Sequence, residues 1–125
     1  MLEDLPMPTM RDFGMQSPGH EGAAVVVALG SNVKNWRVGD RAGVKPAYDA
    51  RFNCELRWSM LEMRCPQSSQ TGLQHPGTCQ QCIVTPARYT ARIPDGVDSF
   101  TAGPIMCSGS TIYGGLRESG LKPRG

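Results

Sequence analysis

A mostly β domain ending in one or two short helices is the fold class the sequence predicts, on three observations. Fifteen glycines and ten prolines among 125 residues require many turns. The apolar stretches near Ala23–Leu29 and in "RAGVKP" are short and bounded by turn residues, as strands are. From Ser99 onward, apolar residues at helical spacing are interrupted by glycines and a proline, which suits short helices with a break. A hydrophobic fraction of 39% with 19% charged residues describes a globular chain, and its length suits one domain with a modest core.

Residues 1–17 hold four methionines and two prolines without periodicity and read as an irregular lead-in. Ala23 to Leu29 is β-branched and apolar and reads as a buried strand, with "GSN" as its turn because Gly30 and Asn32 tolerate positive φ. In "VGDRAGVKP" the Gly39-Asp40 pair is a hairpin signal and Pro46 stops the next strand, so these two strands are expected to pair antiparallel. From Tyr48 to Pro76 the periodicity fails in a long excursion, and excursions of that length are commonly functional. Cys82–Val84 and Tyr89–Ile93 read as short strands divided by Pro86 and closed by "PDGVD". Ser99 is the expected cap of two short helices broken near Pro104, with Gly120 at the C-terminal end. "KNWR" reads as a solvated turn with Trp36 partly covered, and His75 as a loop histidine.

A net charge of +2 without a Lys/Arg patch argues against nucleic-acid and membrane-surface partners. No stretch approaches the ~20 apolar residues that span a bilayer. "MLEDLPMPTM" lacks signal-peptide regions, so a soluble, cytoplasmic protein is expected. Five irregularly spaced cysteines do not form a secreted disulfide framework; metal binding or burial suits them better. Cys79 and Cys82 make a C-x2-C without a βαβ context, and burial in a strand is the simpler expectation.

"GHEGAAVVVALGSNVKNWRVGDRAGVK" and "TGLQHPGTCQQCIVTPARYTARIPDGVDSFTAGPIMCSGSTIYGGLRESGLKP" together resemble the zinc-dependent medium-chain alcohol dehydrogenases, especially fungal ones. The resemblance covers Pro18 to Pro123. It implies a GroES-like, partly open barrel truncated at both ends, with no Rossmann domain. Residues 18–123 would form that partial domain, 48–76 its degenerate structural-zinc lobe, and 124–125 a tail.

The family's catalytic zinc takes a histidine from a "GHE" motif, matched by His20, and a cysteine from a motif like "PIMCSGST", matched by Cys107. Glu21 fills the place of a glutamate near the metal. The glycines beside the histidine would let the backbone carry it to a metal, anchored by the strand behind. The family's first cysteine ligand has no counterpart, since no cysteine precedes His20, so weak coordination completed by Glu21 or water is implied.

The family's structural zinc uses C-x2-C-x2-C-x7-C; Cys54 and Cys65 match the second and fourth positions, with Arg51 and Arg57 at the first and third. Two arginines oppose a divalent cation, so little zinc is expected there. Thr111 matches a threonine that approaches the nicotinamide. NAD is the family's cofactor, but no G-x-G-x-x-G follows a strand in this sequence.

The implied activity is oxidation of a small alcohol to an aldehyde or ketone with NAD, with little or no turnover by this chain alone. The alternative is a non-enzymatic zinc-binding or interaction module. Unpaired sheet edges would favour self-association or pairing with a full-length dehydrogenase.

Overall fold

The computed structural model describes residues 17–50 and 65–122. Three strands form the principal sheet: β1 (Gly22–Val25), β2 (Arg41–Val44) and, later in the chain, Ala91–Arg92, in the order β1, β2, Ala91–Arg92. β1 and β2 are antiparallel, with Gly22 opposite Val44 and Val25 opposite Arg41. Their ladder runs one step further, through Val26 N–H to the Asp40 carbonyl at 2.9 Å and Gly39 N–H to the Val26 carbonyl at 2.8 Å. Gly39-Asp40 therefore begins the return strand, as the sequence predicts. The strand expected over Ala23–Leu29 is shorter, however, because the chain leaves the ladder after Val26 to form the loop before Gly39.

Two further strands, β3 (Ala47–Asp49) and β4 (Ser69–Gln70), pair antiparallel and tie together the ends of the long excursion. Beside them Thr71, 1% exposed, takes a backbone bond from its N–H to Pro46 O at 2.8 Å and donates its hydroxyl to Lys45 O at 2.9 Å. His75 lies outside the named strands, in the loop after β4 as expected; its ring stacks on Tyr48 at 3.6 Å and 13°, and Nε2 lies 3.0 Å from Ser69 Oγ. Ala91–Arg92 is then β5, opposite Gly43 and Ala42 of β2. Tyr89–Ile93 thus contributes only its centre to the sheet. Cys82–Val84 forms no strand; Val84 is 84% exposed and Cys79 and Cys82 are exposed free thiols. Burial in a strand does not account for these two cysteines, because among the described residues no neighbouring strand pairs with that segment.

Trp36 also departs from expectation, being 6% exposed. Its indole N–H donates to Ala87 O at 3.2 Å, and the Arg92 guanidinium lies 4.4 Å from its ring centre. Arg92 in turn pairs with Asp40 at 2.9 Å. The Asp40 carboxylate also accepts from Arg37 N–H, which with Arg92 holds its pKa below the usual carboxylate range. The rest of the core is small: Ala42, Val44, Ala50, Cys65, Tyr89, Ile93 and Ala102.

The C-terminal region is one helical rod in three pieces: α1 (Ser99–Pro104), a π-helical turn (Ile105–Gly109) and α2 (Ser110–Glu118). Asp98, not Ser99, is the cap. Its carboxylate accepts Thr101 N–H at 3.0 Å and Thr101 Oγ1–H at 2.6 Å, satisfying a helix-end donor. The break expected near Pro104 is present as the wider turn that follows it. Gly120, at φ 67°, ends α2 as expected. α1 packs on β1 and β2 with Ala102 and Gly103 buried, and Met106 sits directly over Gly43. Among the described residues no helix is long and apolar enough to cross a membrane.

Candidate metal centre

The chain reaches β1 through a close crossing. Gly77 N–H donates to Ser17 O at 2.8 Å, Cys79 N–H to Pro18 O at 2.9 Å and Thr78 N–H to Gly19 O at 3.0 Å. Between them Gly19 adopts φ 93°, a conformation that glycine enters without a Cβ penalty, and the chain turns so that His20 and Glu21 stand at the head of β1. The Thr78 hydroxyl then donates to Glu21 O at 3.3 Å. On the other side, the seating of Met106 on Gly43 sets the rotation of the π turn and brings Cys107 toward the same place.

A donor atom from each of His20, Glu21 and Cys107 lies within 4.8 Å of the others. His20 and Glu21 are exposed and Cys107 is half-buried. The Ser108 N–H and hydroxyl reach Glu21 Oε1 at 3.2 and 3.1 Å. Burial pushes the Cys107 thiol pKa up, and the charge and hydrogen bond of Glu21 add to the rise. An imidazole, a carboxylate and a potential thiolate make a donor set suited to Zn²⁺. Ligands at zinc's usual bond lengths sit roughly 3.3–3.8 Å apart in a tetrahedron, so donors within 4.8 Å need close by only about an ångström. The residues fit the ion.

Thr111 is exposed and donates its hydroxyl to Cys107 O at 3.0 Å, on the helical turn after the thiol. Cys65 is buried and free, and among the described residues it belongs to no group of three metal-type donors. Cys54, Arg51 and Arg57 lie outside the described residues. Sequence reasoning did not single out Ser108 or Thr78. The only signal for Ser108 was its position four residues beyond Pro104, where a side chain can bond back along a helix.

The family described as Alcohol dehydrogenase GroES-like domain matches residues 3–95, which includes His20 and Glu21 and begins ahead of Pro18. The chain belongs to this family. Its fold is that of the GroES-like domain, with the sheet open among the described residues. A cinnamyl alcohol dehydrogenase from Sorghum bicolor is similar at 27% identity and TM-score 0.78, covering 87% of this chain and 33% of its own. CAD from Helicobacter pylori, solved with NADP(H), is similar at 25% identity and TM-score 0.75, over 82% of this chain and 32% of its own. A short chain alcohol dehydrogenase from E. coli, solved with NADH, is 28% identical with TM-score 0.64, over 70% and 26%. The chain thus spans about a third or less of the length of the solved structures it matches.

Proposed function

We propose that this chain is the metal-holding part of an alcohol dehydrogenase catalytic domain, with His20, Glu21 and Cys107 gripping one zinc ion. The observation that carries this reading is the convergence of those three donors, two from the head of β1 and one from the π turn, within 4.8 Å. Zinc bound there would act as a Lewis acid toward an alcohol oxygen, and NAD is the fitting hydride acceptor for that class of oxidation. The protein's own contribution is orientation: the head of β1 carries the imidazole, the π turn carries the sulfur, and Thr111 would face the cofactor. The sequence carries no glycine fingerprint for a dinucleotide, so zinc uptake without measurable NAD binding or alcohol turnover is the expected behaviour of the purified chain. Elemental analysis of the metal-to-protein ratio checks this, with NAD titration beside it. A ratio near zero after incubation with excess zinc ends the proposal.

A separate observation supports self-association. Val25, Val27 and Val84 are 55%, 71% and 84% exposed along a groove of about 870 Å³ whose lining residues include no charged side chain. Among the described residues β1 is also an edge of its sheet. A second copy of the chain presents the same uncharged face and so meets it without charge repulsion, which commits the proposal to homotypic pairing. Sedimentation velocity over a concentration series is expected to show oligomers, and Val27→Lys to shift them toward monomer by about tenfold or more in dissociation constant. A monomeric wild-type chain at all concentrations refutes the pairing.

A further inference from the structure

We propose that Ser108 is a positioning residue that clamps the Glu21 carboxylate into the metal centre. The inference rests on the zinc reading above and adds to it a way of holding the third donor.

The clamp follows from the shape of the helix. In a π turn each ring of hydrogen bonding holds one residue more than in an α-helix, so a local offset enters the ladder. Ile105–Gly109 has that geometry, and Ser110 Oγ–H reaches back five residues to Ile105 O at 3.2 Å. Within this turn the Ser108 N–H points to Glu21 Oε1 at 3.2 Å, and Ser108 Oγ lies 3.1 Å from the same oxygen. The hydroxyl is also 2.9 Å from Pro104 O. It has a single proton, and a carboxylate is the stronger acceptor because it is charged; the N–H contact holds Glu21 whichever acceptor the hydroxyl takes.

Both Ser108 donors fall on Oε1. Ser108 therefore makes no claim on Oε2, which stays free of it for an ion shared with His20 and Cys107. Glu21 is exposed, and an untethered glutamate there would lose rotamer freedom on binding an ion. The Ser108 contacts from a fixed helix remove much of that cost beforehand, the service that residues behind a ligand give a metal site.

The test uses Co²⁺ alone, titrated into the full chain and its variants, with visible absorption reporting the ligand set and urea unfolding of the metal-free proteins as a fold control. Ser108→Ala is expected to weaken binding about tenfold, at the low end of the range for residues behind a ligand because the backbone N–H remains. It should also alter the ligand-field bands while the sulfur-to-cobalt band persists. Ser108→Thr, which keeps the hydroxyl, should restore most of the affinity. Since Ser108 acts through Glu21, the Glu21→Gln/Ser108→Ala double variant should bind no more weakly than Glu21→Gln. Equal affinity of Ser108→Ala and wild type, or additive losses in the double variant, overturns the clamp while leaving the zinc reading standing. No cobalt uptake by the wild-type chain, or unchanged uptake by His20→Ala, overturns the zinc reading and the clamp with it.

Discussion

Zinc affinity should fall by more than about 100-fold in His20→Ala and in Cys107→Ser, since each removes a direct donor and loss of a merely supporting residue already costs 10–100-fold. The losses should come without a comparable loss of folding stability. His20 is exposed and Cys107 half-buried, and neither belongs to the buried core of Trp36, Val44, Tyr89 and Ile93. Competition with a chelating dye measures the affinity, and urea unfolding of the metal-free proteins measures the fold. Retention of wild-type affinity by either variant would exclude the three-donor centre.

The same centre fixes the direction of the pH dependence. Burial, and then Glu21, raise the pKa of the Cys107 thiol, so the free protein keeps that proton to a higher pH than an ordinary cysteine would. The sulfur bound to zinc carries none. Binding therefore expels a proton, and below the thiol pKa affinity should rise about tenfold per pH unit. Cys107→Ser should flatten that slope, because the proton it removes is the one being released.

The hairpin was legible in the sequence because its information is local. Gly39-Asp40 marks the turn end and Pro46 the far end of β2, so little beyond adjacent residues is needed to pair β1 with β2. Trp36 was illegible for the opposite reason. Its neighbours Asn35 and Arg37 are polar, while the groups that cover and satisfy it, Arg92 and Ala87, arrive from more than fifty residues away. Cys82–Val84 has strand-like composition but no partner among the described residues, and composition cannot supply one. The helix cap moved by one residue, from Ser99 to Asp98, because both side chains can cap and only geometry selects between them.

The proposed metal donors divide in the same way. His20 and Cys107 could be read from the "GHE" and "PIMCSGST" motifs. Ser108 reaches Glu21 through a π turn, and a single inserted residue in a helical ladder leaves no periodic trace in a short, glycine-rich segment.

Gly77→Ala is the substitution expected to damage the fold most, and it would damage the metal centre through the backbone alone. A Cβ at Gly77 would stand 2.2 Å from Pro18 O, 2.3 Å from Pro18 C and 2.4 Å from Gly19 O. These are main-chain atoms, so no rotamer change can relieve the clash. The Ser17–Gly19 segment would have to lift away, straining the three crossing hydrogen bonds at 2.8, 2.9 and 3.0 Å, each worth about 1 kcal/mol net. Overpacking typically costs about 1–3 kcal/mol, and the rigid surroundings put this case at the upper end. With a urea slope of about 1–3 kcal/mol/M for a small domain, the unfolding midpoint should fall by roughly 1 M or more.

Gly96→Ala is the matched control. Nothing lies within 4 Å of its would-be Cβ and its φ is not positive, so a change within about 0.5 kcal/mol is expected. Because Gly19 immediately precedes His20, Gly77→Ala should also weaken zinc binding at least tenfold although Gly77 offers no donor side chain, a coupling carried by position. If Gly77→Ala and Gly96→Ala unfold at the same urea concentration, the close crossing does not hold the head of β1 in place, and the orientation of His20 must come from elsewhere.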